Sequence, residues 1–168
     1  PVCLGAVRLM FPVLGLNDSK LLTPLRRQQL SLIIKINSLS SLGWASAEEI
    51  DRLGLSLALS LAMERALVIF PAREPVLIDG SFNFLPKRTN VSTLVKADLT
   101  EPAVSAASII AKVARDNFMN AIGLRYPDYG FAEHVGYGTV LHRDALARHG
   151  LTPLHRRSFK PIREIAKA

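Results

Sequence analysis

"PVLIDG", residues 75–80, is a short apolar run that stops on a carboxylate and a glycine. Its composition reads as a buried strand. An aspartate at the rim of a core costs desolvation unless a cation or a hydrogen-bond donor meets it. A second strand-like run, "VSTLVKAD" at 91–98, also closes on an aspartate. If the two strands lie side by side in parallel, Asp79 and Asp98 share one sheet edge, the edge outside which ligands of open α/β sheets bind. Two carboxylates there repel each other unless a cation joins them. Hard oxygen donors suit Mg²⁺ or Mn²⁺, which keep several waters and take the rest from substrate phosphate. Such a pair in a basic chain points to metal-assisted cleavage of a phosphodiester. Asp-Gly is also a common turn, and "VLIDGSFNF" can equally reverse at Asp79.

The charge supports a polyanion partner. Lys and Arg number 21 against 14 Asp and Glu, a net charge of +7 in 168 residues. An excess of this size suits nucleic acid, although it also serves solubility. Nearly half the chain is apolar (49%), enough to bury one compact core. A single cysteine, Cys3, excludes an internal disulfide framework and fits a reducing compartment, the cytoplasm. The opening "PVCLGAVRLMFPVLGL" has no basic leader, is interrupted by Arg8 and lacks a small-residue cleavage site. It is too short for a membrane span, and "VCLGAVRLM" reads as a buried strand.

The remaining elements follow from caps and periodicity. "TPLRRQQLSLIIKI" (23–36) is a helix with Thr23 as N-cap, Pro24 at the first turn and Leu30, Ile33 and Ile34 as its apolar stripe. A short strand is expected around Trp44. Ser46 and Glu49 have capping-box spacing and open a helix that runs through "IDRLGLSLALSLAMERALVIF" (50–70), weakened at Gly54 and ended by Pro71 and Pro75. "EPAVSAASIIAKVARDNFMNAIGLRY" (101–126) is a long helix whose Ser105, Ala106, Ala107, Ser108 and Ala111 let it approach a sheet closely. "TVLHRDALARHG" (139–150) is a helix between Thr139 and Gly150. Strands mixed with helices define an α/β domain with helices packed on a sheet.

Other chemistries find no support. His134, His142, His149 and His155 lack zinc-type spacing; His142 and His149, seven apart on one helix, are expected to face solvent. Ser19, Ser105 and Ser108 belong to no nucleophile elbow, and no phosphate-cradling Gly-rich loop with lysine occurs. Tyr126 and Tyr129 read as half-buried loop residues. Lys20, Arg26, Arg27, Lys96, Lys112, Arg115, Arg156, Arg157 and Lys160 are candidates for phosphate contact, each with a solvated basic face as the plain alternative. Arg156 and Arg157 serve equally well as partners for acidic groups at the core rim. Asp116 is read as bracing the core, without a metal.

"GLNDSKLLTPLRR" (15–27), "EEIDRLGLSLALSLAMERAL" (48–67), "VLIDG" (76–80), "VKAD" (95–98), "VSAASIIAKVARDNFM" (104–119), "YPDYGFAEHVGYGT" (126–139) and "HRRSF" (155–159) occur in that order. The series resembles the ribonuclease HII family over about Pro1 to Ile162. The resemblance implies a ribonuclease H-like fold, a mixed sheet flanked by helices with a helical C-terminal part. It implies an endoribonuclease that hydrolyses the RNA strand of RNA–DNA hybrids and cuts 5′ of ribonucleotides embedded in duplex DNA, by two-metal-ion catalysis with Mg²⁺ or Mn²⁺. It implies a monomer with no membrane partner. The family's metal-binding aspartates fall on Asp79 and Asp98. Its junction-stacking tyrosine falls on Tyr137, between Gly136 and Gly138. Its Asp-Ser-Lys stretch beside the hybrid falls on Asp18, Ser19 and Lys20. Lys96, Lys112, Arg156 and Arg157 complete the substrate-side residues.

Departures from the family pattern set a further expectation. The family's Asp-Glu pair and Gly-Arg-Gly loop, which senses the 2′-hydroxyl, belong just before "PVCLGAV", and no Asp-Glu pair occurs in this sequence. Val135 stands where the family has lysine, Gly54 where it has asparagine, and Ala97 where glycine is commoner. The chain, 1–168, is therefore expected to be a single domain lacking its first, central strand, and as written to cut weakly. A catalytically inactive hybrid-binding module is the alternative, and a junction resolvase of the wider ribonuclease H-like superfamily a third.

Overall fold

A computed structural model describes residues 1–165. The first strand, β1 (Val2–Leu9), pairs antiparallel with β2 (Ser38–Ala45), Val2 opposite Ala45 and Leu9 opposite Ser38. Helix α1 (Pro24–Ile36) connects them. Thr23 caps it, its side chain accepting the Arg26 N–H, with Pro24 at the first turn. Leu30 and Ile34 are fully buried, against Ala106, Ile109 and Ile110 of the long helix α5 (Pro102–Arg125). Ile33, expected in the same stripe, is on the exposed side.

Two glycines make the close approach possible. A Cβ on Gly5 of β1 would collide with the Ala107 carbonyl of α5, and one on Gly43 of β2 would collide with the Ala62 carbonyl of α3 (Leu55–Ala66). The small residues of both helices therefore face a strand backbone with no side chain between them. Ala58 and Ala62 of α3, both fully buried, pack with Ala45 and Ile50.

The helix read over 46–70 is two helices. Ser46 and Glu49 form the expected capping box at the start of α2 (Ala47–Leu53). At Gly54 the backbone turns to φ 79°, ψ 161° and α3 starts afresh. Periodicity alone does not show this break: the leucine pattern continues across it, while the backbone uses a conformation that glycine adopts readily.

The next pair of strands is β3 (Val76–Asp79) and β4 (Val91–Leu94), parallel, with Asp79 opposite Leu94. The α/β class holds and both strand senses are present. A single continuous sheet is not formed: among the described residues β1–β2 and β3–β4 are separate two-stranded sheets, because no strand lies hydrogen-bonded between them. The second strand also ends earlier than its sequence suggests. Lys96 adopts a left-handed conformation (φ 59°), and Asp98 sits in a one-turn helix, α4 (Ala97–Thr100).

The C-terminal part is helical. A 3₁₀ turn, η1 (Pro127–Tyr129), leads into α6 (Phe131–His134), α7 (Val140–His149) and α8 (Lys160–Ile165). Thr139 caps α7 and Gly150 ends it. Met119, Tyr129, Phe131, Ala145 and Leu146 form its core. Tyr129 is buried, stacked on Phe131, and its hydroxyl donates to the backbone carbonyls around His149 and Gly150.

Candidate active site

Asp79 ends β3 with an exposed carboxylate, and its Oδ1 accepts the backbone N–H of Ala97 at 2.9 Å. That bond ties the strand end to the first turn of α4, one residue before Asp98. The left-handed Lys96 makes the turn: it reverses the chain after β4 so that the Ala97 N–H points back at Asp79. Gly80, at φ 106°, lets the chain leave β3 directly behind the carboxylate. The Asp79 carboxylate thus meets the backbone one residue ahead of Asp98.

Two hard carboxylates suit a divalent ion such as Mg²⁺ or Mn²⁺. Among the described residues no group of three or more His, Cys, Asp or Glu is arranged to hold a metal. Asp79 and Asp98 are the carboxylates that the sequence reading assigns to this edge; a pair of ions about 3.5–4 Å apart needs further carboxylates.

The other sequence-derived residues divide by what they touch. Tyr137 is 67% exposed on its glycine-flanked loop. Asp18 accepts the Lys20 N–H through Oδ1, closing a tight turn that leaves Lys20 exposed. Ser19 between them is buried, and its hydroxyl pairs with that of Ser108 on α5 at 2.9 Å. It anchors the loop to the helix, so its hydroxyl faces the protein. Lys96 is exposed. Lys112 is bound to Asp116 at 2.6 Å, and Asp116 also lies 3.6 Å from Arg27. Arg27 donates to the Ser19 and Leu22 carbonyls, which makes it a brace for the Asp18–Lys20 loop. The bracing role read for Asp116 is what its contacts show.

In "HRRSF" the anionic partner comes from α2, and the backbone receives it. Asp51 accepts the N–H groups of Arg157 and Ser158 and the Ser158 hydroxyl. Its carboxyl is held below the usual range: burial would raise it, and the Ser158 and Arg157 donors outweigh that. Arg157 keeps an exposed side chain. Arg156 is half-buried, lies over the Phe159 ring at 4.8 Å and donates to the Pro1 carbonyl. Its nearest polar partner is thus a backbone carbonyl. Arg115 donates to the Val135 carbonyl, beside the Tyr137 loop.

Three residues near that loop have no assigned role in the sequence reading. His134, His142 and His155 are all buried. His142, expected to face solvent, turns inward because the face of α7 it shares packs on Phe131; the ring centroids are 5.6 Å apart. His149, at the helix end, is exposed. Cys3 is half-buried, and burial pushes its thiol up to about 12, so it offers no nucleophile.

A parallel strand pair with an acidic end, set against helices on an α/β core, is the architecture expected of the ribonuclease H-like class. Comparison with known proteins narrows the class. The ribonuclease HII family model matches residues 2–162. Ribonuclease HII of Nitrosospira multiformis is 48% identical over 159 residues, covering 92% of this chain and 78% of its own. That of Polaromonas sp. is 46% identical over 172 residues, covering 99% and 85%. The chain belongs to the ribonuclease HII family. Among solved structures it resembles ribonuclease H2 of Pyrococcus horikoshii (TM-score 0.69, 26% identity, 91% of this chain and 81% of that one). It also shares its fold with the ribonuclease HII of Archaeoglobus fulgidus in a PCNA complex (TM-score 0.75, 23% identity, 96% and 88%). Family membership at this identity disfavours the inactive binding module and the resolvase.

Proposed function

We propose that this site hydrolyses the RNA strand of RNA–DNA hybrids and cuts 5′ of ribonucleotides embedded in duplex DNA, leaving 5′-phosphate and 3′-hydroxyl ends. The observation that carries the reading is the Asp79–Ala97 bond, which places the Asp98 turn beside the Asp79 carboxylate on an open strand edge. Asp79 and Asp98 are the residues that would hold Mg²⁺ or Mn²⁺. When bound, such an ion supplies charge stabilisation to a phosphodiester under attack. Asp79 keeps its orientation through the Ala97 N–H, so the edge is preorganised before any ligand arrives. Exposed Lys20, Lys96 and Arg157 supply sequence-independent phosphate contact, and Tyr137 offers a ring for stacking on a sugar or base. The 2′-hydroxyl is the group by which RNA is told from DNA.

The separation of β1–β2 from β3–β4, both packed against α5, supports a central strand between them that carries the remaining carboxylates. On this reading the chain as written cuts weakly, works as a monomer in the cytoplasm, and belongs to the removal of ribonucleotides from DNA during replication and repair. The test extends the chain at Pro1 with an Asp-Glu-x-Gly-Arg-Gly segment and assays a duplex with one embedded ribonucleotide, with Mg²⁺ or Mn²⁺. Cutting on the 5′ side by the extended chain, and little by the chain as written, is expected. Equal cutting by both would overturn the need for the extra strand; binding without cutting by the extended chain would overturn the catalytic reading.

A further inference from the structure

Beneath the Tyr137 loop lie three buried imidazoles, of which His142 and His155 share a directional hydrogen bond and His134 stacks on His142. His142 Nδ1 lies 2.9 Å from the Tyr137 carbonyl. A carbonyl can only accept, so Nδ1 carries the proton. His142 Nε2, 3.0 Å from His155 Nε2, is then the acceptor and His155 Nε2–H the donor. His155 Nδ1 accepts the Thr152 N–H at 2.9 Å, which agrees with that tautomer. His134 completes the set. Its Nε2 faces the Tyr129 carbonyl at 2.7 Å and so donates, while its Nδ1 accepts the Gly136 N–H at 3.1 Å. The His134 and His142 rings stack at 4.4 Å.

Each imidazole thus has both nitrogens engaged, and each is satisfied in one neutral tautomer. A second proton on His142 would set two N–H groups against each other at the His155 contact. A second proton on His134 would do the same against the Gly136 N–H. The loop residues so held are the two that orient Tyr137: Gly136, at φ 85°, and Tyr137 itself, whose N–H also donates to the His134 carbonyl at 2.8 Å.

We propose that the His134–His142–His155 cluster is a positioning device that fixes the Gly136–Gly138 loop so that Tyr137 presents its ring to a ribonucleotide in a duplex, and that it holds only while its imidazoles are neutral. The inference rests on the reading of Tyr137 as a ribonucleotide-facing residue. The charges acting on His142 and His155 come from the other imidazoles. Tyr129 of η1 faces His155 with its ring at 5.8 Å, and Arg115 of α5 meets the adjacent Val135 carbonyl. Burial holds His155 down to about 4, and His142 also lies below the ordinary histidine value.

The test uses the whole chain and two readouts. Long-range ¹H–¹⁵N correlation at neutral pH should show His142 protonated at Nδ1 and His134 and His155 at Nε2; any other tautomer in His142 overturns the device. Amide exchange at Gly136 and Tyr137, and the affinity ratio for a one-ribonucleotide duplex over its all-DNA twin, are then compared in His142→Leu, His142→Asn and Tyr137→Ala. His142→Leu should speed loop exchange about tenfold and lower the ratio as far as Tyr137→Ala does. His142→Asn, whose amide can still donate to the Tyr137 carbonyl, should recover part of both. A normal ratio in His142→Leu with a lowered one in Tyr137→Ala overturns the positioning role alone. An unchanged ratio in Tyr137→Ala, with loop exchange still faster in His142→Leu, overturns the reading of Tyr137 and the inference with it. Should His142→Leu not fold, the unaltered chain decides: acidification toward pH 4, where His155 charges, should release the Tyr137 amide before global unfolding, and simultaneous release overturns the proposal.

Discussion

The Asp79 carboxylate accepts the Ala97 N–H at 2.9 Å, so one exposed aspartate at a strand end also fixes the turn that carries Asp98. Asparagine keeps the Oδ1 acceptor and removes the charge. Asp79→Asn should therefore leave the thermal midpoint nearly unchanged, and Asp98→Asn likewise. Each should lower cleavage of a one-ribonucleotide duplex by the extended chain by roughly two orders of magnitude or more. Asp79→Ala, which loses the acceptor as well, should in addition destabilise by about 1 kcal/mol.

Gly5 and Gly43 face the Ala107 and Ala62 carbonyls with no room for a methyl. Gly43→Ala and Gly5→Ala must push a helix off the β1–β2 sheet, which costs about 1–3 kcal/mol each. Urea denaturation should show a lower midpoint with an unchanged slope. Gly54→Ala has open space around the site but a backbone at φ 79°, so its cost is conformational and should be about 1–3 kcal/mol unless the two helices fuse.

The pH dependence of folding has a definite sign. The folded values of His142 and His155 lie below the ordinary 6.5, that of His155 at about 4. Above pH 6.5 neither state binds the proton and their full contribution is present. As pH falls from about 6.5 toward 4 the unfolded chain takes up protons that the folded chain refuses, and stability declines by up to about 1.4 kcal/mol per proton per pH unit. The thermal midpoint should fall across that window and the slope should ease below it, where His155 charges in the folded state too.

Nucleic-acid affinity should separate the basic residues. Lys20, Lys96 and Arg157 are exposed and are the proposed phosphate contacts, whereas Lys112 is held by Asp116. Replacing each of the first three by alanine should reduce the slope of log K against log salt by about 0.9 for every phosphate that the side chain had neutralised. Lys112→Ala should leave that slope nearly as it was and instead lower stability slightly, since a partly exposed pair contributes about 1 kcal/mol at most.

Much of the fold is legible in single residues. Thr23, the Ser46–Glu49 pair, Thr139 and Gly150 mark helix ends because a cap is a local event between neighbours in sequence. The small residues of α5 announce a close approach, but which strand glycine meets them depends on long-range packing. Gly54 and Lys96 show where local reading fails. Both adopt a positive φ, and neither the leucine pattern around the first nor the apolar run before the second registers a backbone reversal. At the site, Asp79 and Asp98 stand out by ending strand-like runs. The histidine cluster does not: its members are up to 21 positions apart, His134 to His155, and nothing in their spacing reveals that three rings share one buried pocket.

Helix α5 spans 24 residues, and from Pro102 to Arg115 it runs about 20 Å at 1.5 Å per residue. One end follows directly on the Asp98 turn, and further along Arg115 holds the carbonyl just ahead of the Tyr137 loop. On the proposed function the helix is a ruler between the place where a strand would be severed and the place where its sugar would be inspected. Adding or deleting a single residue between Pro102 and Arg115 would swing one end by about 100° relative to the other and uncouple incision from inspection, while the same change in the turn at 71–75 would leave the measured interval intact.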